Sequence, residues 1–93
     1  MHWVKFTNKI TRMQQQDKKI LINLGNRIRD LRVAKNKSLN SFAFNKGITS
    51  ATLSRIENGL VDVKFITLVK LSNALETPLE ELLKGLDLKY NLD

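Results

Sequence analysis

Between Ser38 and Gly59 the sequence writes two short helical patterns end to end, each opened by a hydroxyl residue and closed by a glycine. Ser38 suits the N-cap of a helix over about Leu39 to Lys46, because its side-chain oxygen can accept from an orphaned N–H of the first turn. Phe42 and Ala43 are the residues expected to be buried on it. Gly47 ends the pattern, since glycine takes the left-handed conformation without a steric cost, and Ile48 follows as a buried turn residue. Thr49 is the second N-cap and opens a helix of about Ser50 to Asn58, with Leu53 and Ile56 as its inner face.

The surrounding sequence supplies the walls. From about Asp17 to Lys35, Leu21, Leu24, Ile28 and Leu31 recur at helical spacing with charged residues on the other faces, which predicts a long amphipathic helix. Gly25 lies inside that pattern and is expected to cost it roughly 1 kcal/mol relative to alanine. After a loop from Leu60 to Val63, a fourth helix is expected over about Lys64 to Leu75, with Phe65 or Ile66, Leu68, Leu71 and Leu75 turned inward. Thr77-Pro78-Leu79-Glu80 reads as a fifth helix start, with Thr77 as cap, Pro78 in the first helical position and Glu80 completing a capping box; Gly85 stops it. No segment combines strand alternation with turn chemistry, although His2 to Phe6 alternates weakly and is the one stretch that reads as extended.

The two central helices carry the functional reading. A helix-turn-helix needs two helices joined at a steep angle by a short turn. A small residue must stand where the helices nearly touch, and Ala43 is small. The turn needs a residue tolerant of positive φ, which is Gly47, and two aliphatic residues, Leu53 and Ile56, pin the second helix to the core. Side chains at the start of that second helix point into the major groove of DNA. Those are Ser50, Ala51 and Thr52, with Ser54 and Arg55 one turn on. The hydroxyls can donate or accept, Ala51 can touch a thymine methyl, and Arg55 can grip a guanine edge with two hydrogen bonds.

From Leu24 to Leu83 the chain resembles the Xre family, the Cro/CI-type helix-turn-helix proteins of phages and bacteria. The resemblance lies in LGNRIRDLR, SLNSFAFNKGITSATLSRIENG and TLVKLSNALETPLEELL. It implies an all-α fold, a compact five-helix bundle of the lambda-repressor type, whose second and third helices dock on double-stranded DNA, and a homodimer that binds a pseudo-palindrome. It implies base contacts from Ser50, Ala51 and Arg55 and a backbone contact from Asn58. It also matches Arg32 and Glu57 to a partly buried ion pair. Phosphate contacts are further expected from the N–H groups of Ser38 and Leu39 at the start of the second helix and from Lys64, the first basic residue after the third. The chain departs from the family at Leu39, where glutamine is usual, at Lys46, where a small apolar residue is usual, and in the loop Leu60-Val61-Asp62-Val63, which often carries basic residues and a proline.

Charge supports a polyanionic partner. The formal net charge is +7, and residues 1–37 alone hold ten basic groups against two acids. Such a surplus favours nucleic acid. The basic front half includes Arg27, Arg29 and Lys35, and residues 1–19 are read as either a flexible, solubilising tail or an arm that reaches the DNA backbone or minor groove. The 93 residues divide into an extension over 1–16, a domain over 17–86 and a tail over 87–93. Phe44 should face away from the core, covered by Trp3, Val4 and Phe6 folding back or by a second subunit, and the apolar residues Leu82, Leu83, Leu86, Leu88, Tyr90 and Leu92 are expected to be free for a dimer interface.

Other classes fit poorly. There is no cysteine, which excludes a thiolate metal site, the one histidine, His2, is peripheral, the Asp and Glu residues show no metal-ligand spacing, and no glycine loop suits a phosphate cofactor. No apolar run approaches the roughly 18 residues needed to span a membrane. The reading is a cytoplasmic, cofactor-free transcriptional regulator, repressor or autoregulator, with no small-molecule substrate. The alternative is a protein-interaction module, such as an antitoxin that neutralises a toxin and binds DNA secondarily.

Overall fold

Residues with high helix propensity propagate a helix until a stop signal intervenes, and this governs the N-terminal half. The structure, a computed structural model, describes residues 2–44 and 46–93, and for residues 2–13 the backbone only. Helix α1 runs His2–Ala34, far ahead of the expected start at Asp17, and His2 to Phe6 is helical rather than extended. The reason is local: neither glycine nor proline interrupts the stretch before Asp17, and Arg12, Met13 and Gln14 to Gln16, all good helix formers, lead into it. At about 1.5 Å per residue such a helix is roughly 50 Å long, and the molecule measures 52 Å along its longest axis. Asn36, in the left-handed region at φ 57°, closes α1.

Four short helices follow: α2 (Leu39–Ala43), α3 (Ser50–Glu57), α4 (Phe65–Ala74) and α5 (Leu79–Leu83). Among the described residues there is no strand, and no helix is long and apolar enough to cross a membrane. Helix α2 ends before the expected Lys46. Continuing it would carry Lys46 onto the buried face of Phe42 and Ala43 and strip water from an ammonium; instead Phe44 leaves the helix and Lys46 stays exposed. The start of α5 also differs. Pro78 holds the cap position, its carbonyl accepting from Leu82 N–H at 2.9 Å, and Thr77 belongs to the end of α4. Its N–H donates to Ser72 O (2.9 Å) and its hydroxyl to Leu75 O (3.1 Å).

Every helix contributes to one core. It contains Leu24 and Ile28 of α1, Phe42 and Ala43 of α2, Leu53 and Ile56 of α3, Leu71 and Leu75 of α4 (Leu75 at its C-cap) and Leu82 of α5. Neither Phe65 nor Ile66 joins it: they are 65% and 64% exposed. Val61 and Val63 from the preceding loop pack against the core instead. Leu39, an apolar departure from the family, is half-buried against the same core.

Gly25 has a different role from the one its sequence position suggests. It is buried, and a Cβ there would stand 2.3 Å from the carbonyl oxygen of Ile56 and 2.7 Å from that of Glu57. Helix α1 therefore touches the last turn of α3 backbone to backbone. One turn earlier on α1, Gly59 packs against Ile22, where a Cβ would lie 2.8 Å from its Cα.

Polar groups bind the two ends of the chain together. The Arg27 guanidinium donates to the carbonyls of Leu82 (3.0 Å) and Lys84 (2.9 Å), and more distantly to Glu81 (3.4 Å), closing the end of α5. Lys35 sits 3.7 Å from Glu76. Neither is a free basic group of the kind expected for a DNA arm. The Gln16 amide bonds both the carbonyl (3.0 Å) and the N–H (2.7 Å) of Asn91. The Tyr90 phenol donates to Asp17, and that bond raises its pKa above the ordinary tyrosine value. A tyrosine held protonated in the fold stabilises the tail below its ordinary pKa, about 10, and that contribution is lost as pH rises through the raised value. Asp17→Asn is expected to return Tyr90 to an ordinary phenol titration, read by ultraviolet absorbance, while the wild type ionises at higher pH.

These contacts correct the expected dimer surface. Leu82 is fully buried, Leu83 and Leu86 pack on the core, and Tyr90 is bonded to Asp17, leaving Leu88 (50%) and Leu92 (73%) exposed. Phe44 is 75% exposed; the side chains of Trp3, Val4 and Phe6, expected to cover it, lie outside the described residues.

Candidate nucleic-acid interface

Helices α2 and α3 are held by their inner faces and by their caps. Phe42 and Ala43 on one side and Leu53 and Ile56 on the other are buried, and Ile48 from the connecting turn packs on the same core. Gly47, at φ +73°, turns the chain between them. Ser38 Oγ accepts from Ser41 N–H (3.1 Å), and Thr49 Oγ1 accepts from Thr52 N–H (3.1 Å). The N–H groups of Leu39 and Asn40 at the start of α2 point out of the helix with no intrahelical acceptor, as the first turn requires.

With its inner face buried, α3 presents the opposite face to solvent. Ala51 and Arg55 are exposed, and Ser50, Thr52 and Ser54 are half-buried. The Arg55 guanidinium makes no hydrogen bond or ion pair among the described residues. The hydroxyls are more committed. Thr49 donates its hydroxyl to Thr52 Oγ1 (2.9 Å). The Asn58 amide donates to the Ser54 carbonyl (2.8 Å) and approaches Ser54 Oγ (3.5 Å). Thr52, Ser54 and Asn58 thus stiffen α3 from within, a use that spacing alone did not signal. Lys64, at the cap position of α4, is exposed and lines a groove beside α3 with Thr52, Arg55, Val61, Asp62 and Thr67.

A buried ion pair fixes the far end of α3. Arg32 Nε donates to Glu57 Oε2 (2.7 Å) and Nη2 to Oε1 (2.9 Å), while Nη1 donates to the Lys37 carbonyl (2.6 Å). The hydrogen bond to Glu57 raises the Arg32 pKa further above its already high value. Both side chains are buried, and among the described residues no buried side-chain polar atom lacks a partner. The pair ties the last turn of α1 to the last turn of α3.

The comparisons with known proteins agree with this arrangement. Residues 28–82 match a family described as helix-turn-helix. Over 60 residues the chain is 42% identical to the uncharacterized HTH-type transcriptional regulator RghRB of Bacillus subtilis (strain 168), covering 63% of this chain and 43% of that protein. The chain thus spans less than half the length of this relative. The fold is similar to that of the restriction-modification controller protein C.AhdI from Aeromonas hydrophila, with a TM-score of 0.64 and 34% identity, covering 67% of this chain and 90% of the controller.

Proposed function

The chain belongs to the Xre-type helix-turn-helix family, and from that premise we propose that it is a sequence-specific double-stranded-DNA-binding transcriptional regulator. It reads the major groove with α3, acts in the cytoplasm as a homodimer and represses its own promoter. One observation carries the reading: α3 is locked to the core by Leu53, Ile56 and Glu57 while Arg55 and Ala51 face solvent without an internal partner. A guanidinium left free on a rigid helix, beside a methyl group, is the chemistry that reads a guanine next to a thymine. The open N–H groups at the start of α2, with Ser38 and Lys64, supply phosphate contacts that fix the register. The activity is binding rather than catalysis.

The test is fluorescence anisotropy of the purified protein with the duplex upstream of its own gene, beside a scrambled duplex, over a salt series. Specific binding should be at least about 10³-fold tighter than non-specific binding. Arg55→Ala is expected to lose about 1–3 kcal/mol of that preference, at one base pair of each half-site. Recognition helices of a dimer should meet half-sites about 34 Å apart. Equal affinity for both duplexes would remove the autoregulator role.

A second reading is favoured by Phe44 and Leu60, large apolar side chains 75% and 66% exposed. It makes the chain an antitoxin-like module with a protein partner and secondary DNA binding. Failure to bind any duplex, together with a stoichiometric partner lost on Phe44→Ser, would put this reading first.

A further inference from the structure

The groove beside α3 contains one group that does not suit a DNA interface. Arg55 and Lys64 bring two cations to it, and Thr52 and Thr67 bring hydroxyls, a donor set that suits a phosphate. Asp62 lines the same groove, exposed and free of any ion pair or side-chain hydrogen bond among the described residues. Asp62 also borders a second hollow together with Asp17, Ile20 and Leu21 of α1. Two carboxylates far apart in sequence thus make an acidic spot on a chain of net charge +7.

The dimensions of DNA place that spot against its backbone. An α-helix with its side chains is about 10–12 Å across, and the major groove is about 12 Å wide. A helix seated there has a phosphate strand against each flank, and Thr52 and Arg55 put the groove on one flank of α3. We infer that Asp62 limits affinity by repulsion, holding a backbone phosphate away from the groove between α3 and the start of α4. Sequence-independent binding, which grows with each phosphate neutralised, is thereby kept low. This inference rests on the DNA-binding reading of α3.

The experiment measures binding of the full chain, wild type, Asp62→Asn and Asp62→Lys, to a duplex selected by the wild type from a randomised pool and to a scrambled duplex, across a salt series. Glu80→Gln, on the groove between α4 and α5, is the control for net charge alone. At about 0.1 M salt, Asp62→Asn should tighten binding to both duplexes by a similar factor, roughly three- to tenfold. Asp62→Lys should tighten it further and steepen the salt dependence by about 0.9 in log–log slope, one additional phosphate. Glu80→Gln should stay within about twofold of the wild type. Unchanged affinity in both Asp62 variants against a wild type that binds would overturn this inference alone. So would a change confined to one base pair of the selected site, which would make Asp62 a base contact. A wild type that binds no duplex at low salt would overturn the DNA-binding reading and this inference with it.

Discussion

Gly25→Ala is expected to destabilise the protein by about 1–3 kcal/mol, although alanine is the better helix former by about 1 kcal/mol. Local and tertiary physics give opposite signs here, which makes the substitution decisive. In an exposed helix the methyl group would reduce the entropy of the unfolded chain and stabilise the fold. In this fold the methyl carbon would come within 2.3 Å of the Ile56 carbonyl oxygen and 2.7 Å of that of Glu57. Both obstacles are backbone atoms, so no rotamer change relieves the clash. Helices α1 and α3 must separate, and the core between them, with Ile28 and Leu53 fully buried, loosens. A domain of this size has a stability of roughly 5–14 kcal/mol, so the loss is a large share of the whole. Urea unfolding followed by circular dichroism reads it as a fall in the midpoint. An alanine variant as stable as the wild type, or more so, would show that α1 and α3 do not meet at Gly25.

The second large effect concerns the buried ion pair. Glu57→Ala leaves the Arg32 guanidinium buried without its carboxylate, and the expected cost is about 3–5 kcal/mol. The loss should exceed that of an exposed pair such as Lys35 with Glu76, worth about 0–1 kcal/mol, because Arg32 and Glu57 are both buried and joined by two short hydrogen bonds. The double variant Arg32→Met with Glu57→Leu separates the two contributions. Removing both charges leaves nothing unpaired, so most of the stability should return. The Lys37 carbonyl would lose its donor, but it lies near the exposed end of α1, where water can replace the guanidinium. Equal destabilisation by the single and double variants would mean that packing at these positions, rather than charge pairing, holds α3.

The position of α3 depends on both features. Gly25 sets how closely α1 approaches its last turn, and the Arg32–Glu57 pair joins the ends of the same two helices. Either substitution should therefore weaken DNA binding in proportion to the loss of order in α3, without changing the order of preference among duplexes. That behaviour distinguishes a positioning residue from one that touches DNA.

The residue pattern records what short-range chemistry can write. Helical periodicity places Leu24, Ile28, Leu53, Ile56, Leu71 and Leu75 in the core. Hydroxyl caps at Ser38 and Thr49, with the glycine between them, mark both helices of the motif and their connection, because a cap and its N–H lie within one turn of each other. The spacing of Ala43, Gly47, Leu53 and Ile56 makes the candidate interface legible without coordinates. The rest follows from how the helices pack. Propensity counts Gly25 as a cost, and its use appears once α3 lies across it. Phe65 fits the inward pattern of α4, but it is exposed and Val61 and Val63 pack against the core instead. Arg27 is one more basic residue in the sequence and a cap for three carbonyls in the fold. Asp62 is a loop residue until Arg55, Lys64 and α1 come around it. For Gly25 and Arg27 the deciding partner is distant in sequence, and for Phe65 and Asp62 it is the packing of the surrounding elements, so residue type together with local spacing carries no record of it.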